Sequence, residues 1–137
     1  MARRGLSHAG TLVLDSEGLA GLLADEERVV ALVAEARTRG MEVVISVLTI
    51  IEAVHARTNN SRLNWVLSGL RALPVGEQDA RKASKNLIDV GLHGHKYGID
   101  AVVAGAALEQ HRPVVMLTSD IDDMTKLCGD RVRLVSV

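Results

Sequence analysis

The stretch 113-PVVMLTSDIDD-123 joins an apolar run to three carboxylates within four positions. A short apolar run opened by Pro113 reads as a buried strand. The acids that follow lie where the strand surfaces, and charges so close repel one another unless something offsets them. The same grammar recurs near the start of the chain, where 11-TLVLD-15 is an apolar run ending in an acid.

Between and around these runs, helical and strand patterns alternate. Residues 16–24 read as a short helix, and a second begins at Asp25 with two glutamates behind it and stops at Gly40. The run 42-EVVI-45 is a strand, with Ser46 capping a helix that reaches about Arg57. After a turn at Asn59 to Ser61 comes a helix over 61–70, a short strand over 72–75 and a helix from about Glu77 to Val90. The loop 91-GLHGHKYG-98 leads into an alanine-rich helix over 99–111, and residues 119–127 form a short helix before an alternating edge strand over 131–137. Strands alternating with helices predict an α/β fold of three layers, α/β/α, around a central, mainly parallel sheet of about five strands. Right-handed crossovers then place every strand's C-terminal end on one rim, where such folds keep their sites.

The chain has 137 residues, enough for one core, and residues 11 to 137 read as a single domain behind a flexible basic leader, 1 to 10. It has no Phe, one Trp and one Tyr. The core must therefore be aliphatic, and stacking of bases on aromatic rings is an improbable mode of recognition. A net charge of -1 argues against electrostatic coating of DNA or membrane. Neutralising four of the seventeen acids by bound cations would leave thirteen against sixteen basic residues, a mildly basic surface. Cys128 is the sole cysteine, which excludes an intrachain disulfide and fits a reducing interior. Acids at Asp15 and Glu17 interrupt the first apolar segment, against a signal or membrane span. A cytoplasmic location is the expectation.

Four acids fall near the rim, each with a plainer alternative. Asp15 also suits a helix cap for the segment at Ser16. Asp100 heads a closely packing helical face with Ala104, Ala107 and His111, and capping is its alternative too. Glu52 shares a helical stripe with Leu48 and His55 beside an apolar ridge of Val47, Ile51 and Val54, so an ionised side chain there needs a partner or a metal. Within 118-TSDIDD-123, Thr118 and Asp120 are placed to face the crevice, whereas Asp122 and Asp123 also suit a solvated turn. If the four converge, a divalent cation relieves their repulsion. All-oxygen donors select Mg²⁺ or Mn²⁺, and the chemistry implied is hydrolysis of a phosphodiester.

Taken in order, 11-TLVLD-15, 49-TIIEAVHA-56, 99-IDAVVAGAA-107 and 118-TSDIDDM-124 resemble the conserved elements of a PIN domain, and within that superfamily the chain is similar to the VapC-type ribonuclease toxins of toxin–antitoxin pairs. The resemblance spans about Thr11 to Val137. It implies Asp15, Glu52, Asp100 and Asp120 as the catalytic, metal-binding set, Thr118 as a hydrogen-bonding support and Asp123 as an outer ligand. It further implies an endoribonuclease acting on RNA with Mg²⁺ or Mn²⁺, usually a homodimer, held inactive by a small antitoxin protein. Met124 departs from the aromatic common at its position, which bears on packing.

Other signals compete with this reading. Glu52 and His55 form E-x-x-H, a spacing used in di-iron bundles, but one pair in a strand-rich chain is too few. His95 and Lys96, and Arg57 and Arg62 around the turn after the Glu52 helix, are candidates for RNA contacts. His93 and His95 could also hold zinc, and the plain reading of their segment is a polar loop. A phosphoaspartyl phosphatase would require Asp-x-Asp after the first strand, where this chain has Asp15-Ser16-Glu17. The non-enzymatic alternative is an interaction module whose acids are caps and ion pairs.

Overall fold

A computed structural model describes residues 9–137. Five strands, β1 (Thr11–Leu14), β2 (Glu42–Ser46), β3 (Arg71–Leu73), β4 (Val114–Thr118) and β5 (Arg133–Ser136), form one sheet in the order β3-β2-β1-β4-β5. All four pairings are parallel. Seven helices connect them: α1 (Ser16–Leu23), α2 (Glu27–Thr38), α3 (Val47–Ala53), α4 (Asn60–Ser68), α5 (Glu77–Val90), α6 (Gly94–Leu108) and α7 (Ile121–Cys128).

The alternation of side chains along each strand divides the interior in two. Val13 is in register with Val44 on one side and Met116 on the other, and all three join Ala104, Leu87 and Met124 beneath α5, α6 and α7. The intervening residues Leu12, Leu14, Val43 and Ile45 meet Leu19, Val29, Val33 and Val66 from the helices of the first half. Two aliphatic cores thus sandwich the sheet, the three-layer arrangement expected from the sequence. Chain order runs from β1 outward to β3, then returns past β1 to β4. The direction of travel therefore reverses between β1 and β4, and a crevice opens at the C-terminal ends of strands that part in this way.

Several boundaries differ from expectation for local reasons. Asp25 takes a left-handed conformation, φ 55, so Glu26 caps α2 instead, its carboxylate accepting from the amides of Arg28 and Val29. Helix α3 stops at Ala53 rather than reaching Arg57. Val54 is extended there, and the His55 amide, which a longer helix would have turned back on the chain, donates to Thr58 Oγ1 at 3.0 Å. Residues 94–98, expected as loop, are the first turns of α6. Gly94, His95 and Gly98 are weak helix formers, but Tyr97 and Ile99 pack on the core and tertiary burial overrides propensity.

Of the leader, residues 1–8 lie outside the described residues. Gly10 is buried, φ +115, and its neighbour Ala9 donates its amide to the Gly40 carbonyl at 3.1 Å. A Cβ on Gly10 would stand 2.5 Å from the Pro113 carbonyl oxygen. Gly10→Ala is therefore expected to destabilise the protein by about 2–3 kcal/mol, read as a lower urea midpoint with unchanged slope.

Candidate metal centre

The acidic group at the reversal is built around Asp15. Its amide continues the β1–β4 ladder by donating to the Leu117 carbonyl at 3.0 Å, which sets the residue beside the end of β4. The side chain is 2% exposed, with Oδ1 accepting from the Ser16 amide at 2.9 Å and Oδ2 from the Thr118 hydroxyl at 2.8 Å. Asp15 is therefore both the cap of α1 and a member of the acidic group at this rim. Each carboxylate oxygen can accept more than one bond, so neither role excludes the other. Thr118, fully buried, also accepts from the Asp120 amide at 3.0 Å. One hydroxyl thus fixes the Asp15 carboxylate and the backbone from which Asp120 departs.

Glu52 arrives from α3 and Asp100 from α6. One carboxylate oxygen from each of Asp15, Glu52 and Asp100 lies within 4.8 Å of the others. Asp120 stands outside this trio, exposed at the start of α7. Among the described residues, no ion pair engages any of the four acids. Burial raises the Asp15 carboxyl above its ordinary range, against the hydrogen bonds from Thr118 and Ser16 and with the help of Asp120 and Glu17. Desolvation, then the charges of Asp15 and Asp120, raise Glu52. Asp100 is pushed up to about 7, by burial first and then by Asp15, Asp120, Glu52 and Asp123. Such a set of hard, unneutralised oxygen donors is what a small divalent cation takes.

The route by which Glu52 reaches the trio is not the expected one. Helix α3 buries Thr49 and Ala53, leaving Ile51 69% exposed, so Val47, Ile51 and Val54 form no inward ridge. Glu52 is exposed on the crevice side, and its proximity to Asp15 and Asp100, rather than apolar surroundings, makes it notable. His55 is off the helix altogether, its Nδ1 accepting from the Arg57 amide at 3.2 Å, which removes the E-x-x-H geometry.

Glu52, Asp100 and Asp120 open on a crevice of about 380 Å³ whose walls also include Leu48, His95 and Lys96; Asp15 does not line it. His95 and Lys96 thus share it with the acids. Arg57 and Arg62 instead line a separate cleft with Ala20 and Leu23. The Arg62 guanidinium donates to the Leu22 carbonyl at 2.7 Å and lies 5.0 Å from the Trp65 ring centroid. Gly98, which the sequence reading passed over, also faces the crevice.

No family model matches the chain, and no curated protein is similar to it in sequence. Among solved structures, it is similar to a chain in the crystal structure of VapBC2 from Rickettsia felis bound to a DNA fragment from their promoter, with TM-score 0.68 over 93% of this chain and 98% of that one. Identity is 14%, so the likeness is one of fold. The fold is the PIN-like one implied by the four motifs.

Because the folded Asp100 holds its proton up to about 7 while the unfolded one releases it near 3.8, the folded state binds more protons between those limits. Stability of the metal-free protein must therefore fall as pH rises through that window and level off above it. In EDTA, the melting temperature is expected to drop between about pH 4 and pH 7, and Asp100→Asn to flatten most of that slope. Differential scanning calorimetry of both proteins checks it.

Proposed function

We propose that this chain is a divalent-cation-dependent endoribonuclease of the VapC type, the toxin of a toxin–antitoxin pair. The observation that carries the reading is the meeting of Asp15, Glu52 and Asp100 at the sheet's reversal, with no ion pair among the described residues to neutralise them. The PIN-like fold shared with a chain of the VapBC2 structure supports it.

Asp15, Glu52 and Asp100 would hold Mg²⁺ or Mn²⁺, with Asp120 completing the acidic set and Asp123 as an outer ligand. When bound, the ion supplies a lowered pKa for water, polarisation of a phosphodiester and stabilisation of charge on the leaving oxygen. The chain's own part is geometric. Thr118 and the Ser16 amide hold Asp15 in one orientation, so a donor is presented without reorganisation. Glu52 and Asp100 come from α3 and α6. On the α6 side, Lys96 and His95 can meet the RNA phosphates. Arg57 remains a candidate for a more distant RNA contact, and Arg62 a weaker one because its guanidinium is already engaged.

The same reading brings a small antitoxin and a second copy of the chain as partners. Trp65, 68% exposed, and Ile51 are apolar surface that such contacts would cover. It also brings a cytoplasmic location and a single domain from 11 to 137. Among the described residues, no helix is long and apolar enough to cross a membrane.

Purified protein with Mn²⁺ or Mg²⁺ is expected to cut total cellular RNA at discrete positions found by end-mapping, and to lose the activity in EDTA or as Asp100→Asn. Intact RNA, together with no Mn²⁺-dependent rise in melting temperature, would sink the nuclease reading in favour of an interaction module. Thr118→Val is expected to lower cleavage by about 10- to 100-fold, while Thr118→Ser, which restores the hydroxyl, stays near wild type. Rates from single-turnover assays decide between them.

A further inference from the structure

Gly98 is a helix-interior glycine that no internal contact explains. It lies in α6, where glycine is the least favourable residue after proline. Two reasons commonly keep a glycine in such a position, a positive φ or a neighbour too close for a Cβ. Gly98 has no positive φ, and a Cβ built on it would meet no atom within 4 Å. The α1 glycines show the contrast, since a Cβ on Gly18 would lie 3.2 Å from that of Leu14 and one on Gly21 only 2.6 Å from Val29 Cγ2.

What Gly98 does border is the crevice, beside Glu52, Asp100 and Asp120 and together with Lys96 and His95. A Cβ there would stand at the crevice wall with no protein atom within 4 Å. Lys96 supplies positive charge on the same wall, suited to a phosphodiester chain passing between it and the acids.

We infer that Gly98 is a substrate-access residue, its missing side chain keeping open the path by which a sugar–phosphate backbone reaches the carboxylates. The inference rests on the nuclease reading above. Gly105 provides an internal control. It lies on the same helix with nothing within 4 Å of its Cβ position, but it borders a different cleft, with Ser46, Leu73 and Glu109.

The test compares Gly98→Ala, Gly98→Leu and Gly105→Leu with the wild type. Three quantities are measured: the Mn²⁺-induced thermal shift, cleavage of a fluorescein-labelled single-stranded RNA, and anisotropy binding of that RNA in Ca²⁺. The expected result is that all three variants fold and keep the Mn²⁺ shift. Gly98→Leu then cleaves and binds about tenfold less well, Gly98→Ala falls between, and Gly105→Leu matches wild type. Wild-type cleavage and binding by Gly98→Leu overturn the inference while leaving the nuclease reading intact, as does an equal loss in Gly105→Leu. Should Gly98→Leu fail to fold, unchanged binding and cleavage by Gly98→Ala overturn it. A wild-type protein that neither cleaves nor binds RNA overturns both.

Discussion

The Thr118 hydroxyl is the point through which the two directions of the sheet meet. It donates to Asp15 at the end of one strand and accepts from the amide leading out of another. It fixes one member of a carboxylate trio whose charges oppose one another, since two unit charges about 4 Å apart at an effective dielectric near 20 repel by about 4 kcal/mol, and that repulsion helps to raise Glu52 and Asp100. Buried hydrogen bonds to a carboxylate favour its charged form, and here they oppose the desolvation that favours its protonated one. The site is therefore held under electrostatic tension by the backbone around it.

The rest of the molecule supplies the rigidity this requires. Val44, Val13 and Met116 form a continuous row across the three central strands, and each is fully buried. A buried aliphatic side chain contributes roughly 1.5–3 kcal/mol, so two such layers can offset a local repulsion of a few. Most of the surrounding acids and bases are arranged more conventionally. Arg81 with Glu77 and Lys85 with Asp89 are exposed helical pairs, which add little to stability but keep α5 soluble.

Much of the architecture was legible in the sequence because buried parallel strands must be apolar runs, and runs such as 11–14 and 114–117 have few other uses. The acids just beyond those runs were legible for the same reason, since chain connectivity alone carries Asp15 to the carboxylate trio and Asp120 to the crevice wall. Glu52 stands out in the sequence beside an apolar ridge that the fold does not contain; it lies near the others on an exposed part of α3, which ends in a turn at Val54. That turn depends on the Thr58 hydroxyl capturing one amide, an alternative the helical pattern does not reveal. Likewise, the extension of α6 back to Gly94 depends on Tyr97 and Ile99 finding the core, a tertiary event invisible to local propensity. Arg62 shows the converse difficulty: an arginine beside a turn suggests a phosphate, but here a helix-end carbonyl takes its guanidinium.

The poverty in aromatic residues also shapes how the molecule reports on itself. Its only indole, Trp65, stands 68% exposed beside the Arg62 guanidinium. Its only phenol, Tyr97, sits partly buried one residue from Gly98, with the Lys96 ammonium 5.2 Å from the ring centroid. Neither ring is fully buried, and only Tyr97 touches a core. Indole emission follows events on the α4 surface and phenol emission follows events where α6 meets its core near the crevice, so the two chromophores act as separate local probes.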